Sequence, residues 1–428
     1  MARTRKTRVN KAALFKDLGY APHAGQWAIH RSPAPRRVVA CGVRWGKTLC
    51  AAMEGLAAAL QPADRSVGWV VAPTYDLADR VFREIQLIAA QHLKEQIVTM
   101  KGHDRLLRIV NLGGGISEIR AKTADNPVSL LGEGLDYVIV DEAARLKPMI
   151  WESHLSQRLI DKRGWALLIS TPKGKGYLYD LFKRGQGGDP DFESWNWPSW
   201  TNPMLDAEVI EQERGRLPDR VFMQEYGAEF VEGSGSVFRN VRECATGEWQ
   251  GPVAGAQYYA GLDLAKVADY SVLVIMNRDR EVVFVDRFHR LDWGIQVQRI
   301  QVACEKYNDA EIICDSTGVG EPVYESLCVA GLFVEGYTFS AKSKDALIKN
   351  LAIQFEQRRI TLPRAGLWPE GVDEIEAFEY SVTDSGNVRM AAPGSQHDDC
   401  VIATALAAWH LREDALISPY VGVMGPGW

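Results

Sequence analysis

The sequence predicts an α/β protein with two domains, a parallel-sheet domain followed by a mixed-sheet domain. At 428 residues, the chain is longer than a single hydrophobic core usually serves. In its first half, short apolar segments such as residues 137–140 end in polar residues, which is typical of strands buried on both faces of a parallel sheet. In its second half, residues 257–290 predict three strands in a meander, after which helices and strands alternate.

The boundary between the domains follows from a short run of small polar residues. The segment "GSGS" at 233–236 predicts a flexible hinge. We therefore expect an N-terminal domain over residues 1–232, with a small lid subdomain at about 177–232. The hinge itself is expected to cover residues 233–250, and the C-terminal domain residues 251–428.

The composition excludes several classes of protein. A hydrophobic fraction of 46% and a charged fraction of 24% are those of soluble globular domains, and no apolar run is long enough for a membrane helix. Seven cysteines without a C-x-x-C pair indicate reduced thiols in a cytosolic setting and no zinc site. With a net charge of −6, the chain does not coat nucleic acid, so contact with DNA must use local basic patches.

The segment "CGVRWGKTLC", residues 41–50, nearly matches a phosphate-binding loop. Gly46, Lys47 and Thr48 close the G-x-x-x-x-G-K-[ST] pattern, but Cys41 stands where the first glycine is expected and the glycine has moved to Gly42. The loop lies between a predicted strand and a predicted helix, which is the context that such a loop requires. Backbone N–H groups would then hold the phosphates, Lys47 would add a positive charge, and Thr48 would bind Mg²⁺. The alternative is a chance GKT.

A second motif, "LDYVIVDEAARL", places two acids at the end of a buried strand. Asp141 is predicted to hold the Mg²⁺ that bridges the phosphates of ATP, and Glu142 to polarise water for attack on the γ-phosphate. An acidic loop after an ordinary strand is the alternative interpretation. Together the two motifs predict a P-loop ATPase domain with a RecA-like (ASCE) parallel sheet.

Two further elements fit the same site. The predicted strand in "WALLISTPKGKG", residues 165–176, ends in Ser170, Thr171 and Pro172. The two hydroxyls are placed to sense hydrolysis and pass it on; a capped proline turn is the alternative. Gln26 precedes the first strand and is predicted to recognise the adenine edge, unless it is an ordinary surface glutamine.

Carboxylates in the second half come from separate segments. Asp263 lies on the first strand of the meander, Asp315 ends a later strand, and Asp398 and Asp399 begin the last helix. Clustered carboxylates repel one another and favour hard divalent cations, so we expect a two-metal nuclease in a ribonuclease H-like layout. Asp269 either joins this cluster or holds its loop. The alternative for Asp398 and Asp399 is that they only interact favourably with the helix dipole as acids of the first turn.

The chain resembles the large terminase subunits of tailed bacteriophages, which are DNA-packaging motors. The resemblance rests on segments spread through most of the chain: "GYAPHAGQWAIHR", "GVRWGKT", "VAPTYD", "LDYVIVDEAA", "LLISTPKG", "MQEYGAEFV", "GLDLAKVADYS", "CDSTGVG" and "GSQHDDCVIATALA". It implies a P-loop ATPase domain followed by a ribonuclease H-like nuclease domain.

The resemblance also implies roles for arginines. Arg44 would contact phosphate from within its own loop, although a lid-facing surface charge is the alternative. Some relatives offer an arginine in trans from ten residues before the second-motif aspartate, but Leu131 occupies that position here. The trans arginine must therefore come from elsewhere, and the sequence does not rank the candidates Arg120, Arg145 and Arg158.

For the nuclease, the resemblance implies that Asp263, Asp315 and one or both of Asp398 and Asp399 bind the metals. It places Asp269 nearby and makes His397 a candidate phosphate contact. Lys342 and Lys344 either steer the DNA backbone or form a solvated helix start.

The function implied is that of a packaging motor subunit that translocates double-stranded DNA and cuts the concatemer. ATP and Mg²⁺ are the expected cofactors, with Mn²⁺ substituting in the nuclease. The expected partners are DNA, the portal protein, a small terminase subunit and further copies in a pentameric ring, in the host cytoplasm and transiently on the prohead. The alternatives are a cellular helicase–nuclease and a catalytically decayed prohead-docking protein.

Overall fold

The computed structural model describes residues 9–231, 235–264, 270–316, 321–382, 388–392 and 397–412. These fall into two compact units. The first contains the described residues up to 212 and those from 220 to 231, and the second contains 213–219 and the described residues from 235 onward. Within the described part of the chain, no helix is both long and apolar enough to cross a membrane. The first two residues of the predicted hinge, 233 and 234, lie outside the described residues. Asp269 also lies outside them.

The first unit is built on an eight-stranded sheet in the order β3-β4-β5-β2-β6-β7-β1-β8. Every pair from β5 to β8 in that order is parallel, and only β3 and β4 add antiparallel pairing at one edge. The strands are β1 (Arg36–Cys41), β2 (Arg65–Ala72), β3 (Ile97–Lys101), β4 (Leu106–Val110), β5 (Ile116–Thr123), β6 (Tyr137–Asp141), β7 (Trp165–Ser170) and β8 (Phe192–Trp197). The predicted parallel sheet is therefore confirmed.

Helices cover this sheet. Successive residues of each strand point to opposite faces, so an apolar strand presents apolar side chains on both faces. Val39 of β1 packs into one core cluster, and its neighbour Val38 packs into another. Both faces are thus apolar, which explains why the strands read as continuous apolar runs. The helices are α1 (Lys11–Asp17), α2 (Ala24–Arg31), α3 (Lys47–Ala59), α4 (Tyr75–His92) and α5 (Tyr177–Gln186).

The second unit contains a five-stranded sheet in the order β12-β11-β10-β13-β14 and a small sheet in the order β16-β15-β9. The first three strands form the predicted antiparallel meander, and β13 and β14 then add in parallel. The strands are β9 (Gly235–Ser236), β10 (Tyr258–Asp263), β11 (Ser271–Asn277), β12 (Val282–Phe288), β13 (Glu311–Asp315), β14 (Val334–Tyr337), β15 (Glu379–Val382) and β16 (Val388–Ala391).

The last helix of the second unit lies directly on its central strand. A Cβ atom at Gly261 of β10 would lie 2.3 Å or less from backbone atoms of Ala403 and Ala407, so only glycine permits this approach. The contact sets the start of that helix beside the end of β10. The helices are α8 (Val241–Cys244), α9 (Trp293–Lys306), α10 (Glu321–Val329), α11 (Ala341–Glu356), α12 (Pro369–Ala377) and α13 (Asp399–Trp409).

Two predicted segments have more structure than a linker or a separate lid. Val237, Phe238 and Val241, in the segment predicted as a hinge, are buried in the core of the second unit. In the segment predicted as a lid, β8 pairs with β1 in the main sheet. Only the later part of that segment forms separate helices, α6 (Ala207–Arg216) and α7 (Asp219–Glu225).

Candidate functional sites: a phosphate loop and a carboxylate cluster

The structure of the loop between β1 and α3 explains why its first glycine is Gly42 and not residue 41. Cys41 still belongs to β1 and is fully buried, so no glycine is needed there. At Gly42, by contrast, a Cβ atom would lie 2.5 Å from the carbonyl oxygen of Tyr226 and would also clash with Ser199. Gly46 has a φ of 100°, in the left-handed region that favours glycine. The two glycines are thus required by packing and by backbone conformation.

Trp45 anchors the loop in the protein. Its ring is fully buried and stacks on Trp197 of β8, with ring centroids 5.0 Å apart and planes at 4°. Its indole N–H donates to the Thr201 hydroxyl over 2.9 Å. The side chain of Asn202 also donates to the Arg44 carbonyl over 2.9 Å. The loop is therefore held by residues that follow β8, while the Arg44 side chain itself is exposed.

Lys47 lies over the loop with its ammonium hydrogen bonded inward. The Nζ atom donates to the carbonyls of Cys41 and Gly42 over 2.9 and 2.7 Å. It also donates to the Thr171 hydroxyl over 3.3 Å. Burial lowers the pKa of Lys47, although Asp141 and Glu142 partly offset this. A phosphate group at the loop would offer this ammonium a stronger acceptor than neutral carbonyls.

Asp141 is the last residue of β6, and Glu142 follows it. Asp141 is 5% exposed, and burial together with the charge of Glu142 raises its pKa to about 7. A divalent cation there would favour the charged carboxylate, which is the chemistry of a magnesium ligand. Glu142 has a φ of 50° and lies in a tight turn, and its carboxylate accepts from Nε of Arg145 over 3.2 Å.

Ser170 and Thr171 connect these two parts of the site. Ser170 ends β7 and Thr171 follows it, and β7 lies between β6 and β1 in the sheet. The Ser170 hydroxyl accepts from the backbone N–H of Ala144 over 3.2 Å and donates to the Thr171 carbonyl over 2.7 Å. Since Thr171 also contacts Lys47, a hydrogen-bonded path runs from the phosphate lysine to the turn after Asp141.

The second unit brings together the carboxylates that the sequence places far apart. Asp263 ends β10 and Asp315 ends β13, and these neighbouring parallel strands end at the same edge of the sheet. Asp398 and Asp399 begin α13, which packs on β10. Burial and the charges of Asp399, Asp398 and Asp315 raise the pKa of Asp263 well above its usual range. The four carboxylates therefore share one electrostatic environment.

Neighbouring groups hold this cluster in place. Lys344 donates to Asp398 over 2.9 Å, so this lysine contacts the cluster while Lys342 is exposed. The backbone N–H of Tyr270 donates to Asp399 over 3.2 Å. Glu374 accepts from the N–H groups of Cys400 and Val401, over 2.6 and 3.2 Å, and so caps α13.

Two family models match the chain. The first, described as the N-terminal part of the T4-like terminase large subunit, matches residues 39–243, and the second, a terminase RNase H-like domain, matches residues 260–411. The large terminase subunit of Thermus virus P23-45 is 35% identical to this chain, over 92% of this chain and 88% of that protein.

The chain belongs to the large terminase subunits. This membership confirms the predicted family, the fold class and an enzyme with an ATPase domain and a nuclease domain. Among solved structures, the ATPase domain of the Thermus phage P74-26 large terminase is 36% identical, over 54% of this chain and all of that chain, with a TM-score of 0.47. The large terminase nuclease of phage G20c with bound magnesium is 29% identical, over 41% of this chain and 96% of that chain, with a TM-score of 0.38.

The carboxylate cluster of this large terminase subunit fits a divalent metal in its chemistry, because carboxylate oxygens are ligands that such ions prefer. Within the described residues, no three acidic, histidine or cysteine side chains lie close enough to form a preformed metal site. The neighbouring carboxylates raise the pKa of Asp263, and Lys344 forms an ion pair with Asp398, so positive charge is favourable beside this cluster.

The three arginines that the sequence left unranked differ in their contacts within the chain. Arg145 contacts Glu142 of its own chain, and Arg120 forms an ion pair with Glu118 over 2.5 Å. Among the described residues, Nε of Arg158 is buried without a hydrogen-bond partner. Leu131, ten residues before Asp141, is 49% exposed. Which arginine acts in trans stays a prediction.

Gln26 of this large terminase subunit supports the loop. The side chain is 4% exposed. Its Oε1 accepts from the backbone N–H of His23 over 3.1 Å, and its Nε2 donates to the Gly46 carbonyl over 3.2 Å. Because both ends of the amide contact backbone, the structure favours a role in holding the loop over recognition of adenine.

Replacing Gln26 by alanine removes both hydrogen bonds of its amide, including the one to the Gly46 carbonyl in the loop. It is expected to raise KM for ATP and for GTP by similar factors, roughly five-fold. Steady-state phosphate release with each nucleotide measures this. Gln186→Ala is the matched control, because Gln186 also donates to a backbone carbonyl, that of Ser194, over 2.8 Å. A loss confined to ATP would show instead that Gln26 recognises adenine.

Proposed function

We propose that ATP hydrolysis in the first domain drives double-stranded DNA into a prohead and that the second domain cuts the concatemeric DNA. The observation that carries the motor is the hydrogen-bonded path from Lys47 through Thr171 and Ser170 to the turn after Asp141. Through this path, loss of the γ-phosphate would be transmitted to both β1 and β6. The path supports Ser170 and Thr171 as coupling residues.

In the ATPase site, each residue has a distinct task. Lys47 and Arg44 would neutralise phosphate charge, and Thr48 and Asp141 would hold Mg²⁺. Glu142 would orient the attacking water and take up its proton. When bound, Mg²⁺ supplies further charge neutralisation at the phosphates.

In the nuclease site, Asp263, Asp315, Asp398 and Asp399 would hold two divalent ions, Mg²⁺ or in its place Mn²⁺. When bound, the ions supply the positive charge that phosphodiester hydrolysis needs. The chain's own contribution is to keep the carboxylates together against their repulsion, through Lys344 and the backbone around α13. Asp269 stays a predicted neighbour, and it lies outside the described residues.

The partners are inferred from the family. They are the portal protein of the prohead, a small terminase subunit that recognises DNA, and further copies of the chain in a ring of five. The protein would act in the host cytoplasm, docked transiently on the prohead. A net charge of −6 fits contact with DNA that is confined to the lumen of a ring.

A forked duplex tests this motor against a helicase–nuclease. With ATP, we expect DNA-stimulated phosphate release without strand separation. Lys47→Ala should abolish the release because it removes the ammonium over the loop, whereas Lys94→Ala, at an exposed lysine, should not. Strand separation coupled to ATP turnover would contradict the proposal. Unchanged turnover in Lys47→Ala would instead favour a decayed docking protein.

A further inference from the structure

Arg287 lies near the carboxylate cluster, in the same cross-strand row as one of its members. Asp263 pairs with Val272 on β11, and Val272 pairs with Arg287 on β12. Directly paired residues point to the same face of a sheet, so Asp263 and Arg287 share the face on which Val272 packs with α13. Two strand spacings, roughly 10 Å, separate their backbones.

The guanidinium of Arg287 has no acidic partner among the residues that the structure describes. Its Cζ atom lies 3.7 Å from the centre of the Tyr270 ring. Its Nε atom is shielded from solvent and has no hydrogen-bond partner. Partly buried arginines are usually paired, because leaving their donors unsatisfied is costly. An anionic group from outside the chain would complete these interactions.

Tyr270 joins this arginine to the cluster and to two histidines. Its backbone N–H donates to Asp399 over 3.2 Å, so the backbone of Tyr270 lies directly beside a predicted metal ligand. The ring centroids of His289 and His397 lie 4.7 and 5.9 Å from that of Tyr270. We call Tyr270, Arg287, His289 and His397 the Tyr270 platform. It is a set of basic side chains around one aromatic ring at the margin of the carboxylates.

On the basis of the proposed nuclease function, we propose that the Tyr270 platform binds a backbone phosphate of the DNA next to the one that is cut, with Arg287 as its main ligand. A guanidinium binds phosphate through two parallel hydrogen bonds, and the ring beneath it fixes its orientation beforehand. The carboxylates alone repel the DNA backbone. A cation at this distance attracts the adjacent phosphate and so places the reacting one over the metal site.

Cleavage by the full-length protein tests this proposal. A short fluorescent duplex, cut in Mg²⁺ without ATP, gives kcat and KM. Arg287→Ala is expected to raise KM and to lower kcat/KM about tenfold or more, because a charge-assisted contact is lost. Arg287→Lys should recover part of this loss, since lysine keeps the charge but not the two-pronged geometry. The Mg²⁺ concentration for half-maximal cleavage should not change.

Arg299→Ala is the matched control. Arg299 also lies over an aromatic ring, that of Phe288, at 5.4 Å, but its guanidinium is bound to Asp286 over 2.7 Å. Because its charge is already satisfied, this variant should keep the wild-type KM. Thermal unfolding of each variant, compared with the wild type, separates a lost DNA contact from a lost fold.

Binding without cleavage gives a second measurement. In an Asp315→Ala background, fluorescence anisotropy measures the Kd for the duplex over a range of salt concentrations. Adding Arg287→Ala should reduce the slope of log Kd against log salt by about one, as expected for one phosphate contact. Adding Arg299→Ala should leave the slope unchanged.

The outcomes separate this inference from the function on which it rests. If the wild type does not cut DNA in Mg²⁺, the proposed nuclease is wrong. If the wild type cuts and folded Arg287→Ala matches Arg299→Ala in KM and salt slope, the phosphate site alone is refuted. A higher Mg²⁺ requirement in Arg287→Ala, with KM and slope unchanged, would also refute it, since the arginine would then act on the metal site.

Discussion

Asp315→Ala is expected to abolish DNA cleavage while ATP turnover stays at the wild-type level. Asp315 ends β13 beside the end of β10, and its charge contributes to the raised pKa of Asp263. Its removal takes a carboxylate from the predicted metal site, so cleavage in Mg²⁺ or Mn²⁺ should fall by on the order of 10³-fold. Plasmid digestion and phosphate release, measured on the same preparation, check both halves of this result.

Asp345→Ala provides the control for that variant. Asp345 is a surface carboxylate of the same domain that pairs with Lys349 over 2.7 Å, and it has no place in the cluster. It should leave both activities unchanged. If Asp315→Ala removed ATP turnover as well, in a protein that remains folded, the assignment of the two activities to separate sites would be wrong.

Glu142→Ala is expected to give the opposite pattern, with ATP still bound, hydrolysis lost and DNA still cut. The loop contacts of Lys47 do not involve Glu142, so nucleotide binding should persist. Loss of the predicted general base should lower kcat by roughly 10²- to 10⁴-fold. Binding of a fluorescent ATP analogue, phosphate release and plasmid digestion measure the three properties.

Glu133→Ala is the matched control, because Glu133 is a partly exposed acid in the same domain that pairs with Arg65 over 2.9 Å. It should behave as the wild type in all three measurements. Glu142→Gln keeps the shape of the side chain and should also lack hydrolysis. Wild-type turnover in Glu142→Gln would show that another group activates the water.

Local sequence was enough to predict the strand ends that carry the chemistry. Each of β6, β7, β10 and β13 is a short apolar run whose final residues are polar, and parallel strands with this pattern end at a common edge. In the structure, this common edge brings Asp141 near Ser170 and Asp263 near Asp315. The variants described above test whether these residues perform the assigned chemistry.

Contacts between distant segments could not be predicted in the same way. Trp45 is held by Trp197, and α13 is capped by Glu374, but no local pattern names either partner. The sequence predicts that Gln26 recognises adenine, whereas its contact with the Gly46 carbonyl depends on atomic positions that no local pattern gives. The sequence did not indicate a role for Arg287, because that inference depends on its lack of an acidic partner among the described residues.

Substitution of Gly261 would alter the carboxylate cluster of this nuclease from a distance. The closeness of Asp399 to Asp263 depends on a backbone-to-backbone contact between α13 and β10, at a residue with no functional group. Any side chain there would push the helix outward and separate the carboxylates without altering one of them. The spacing of these carboxylates is therefore encoded by an inert position, and a survey limited to ionisable residues would overlook it.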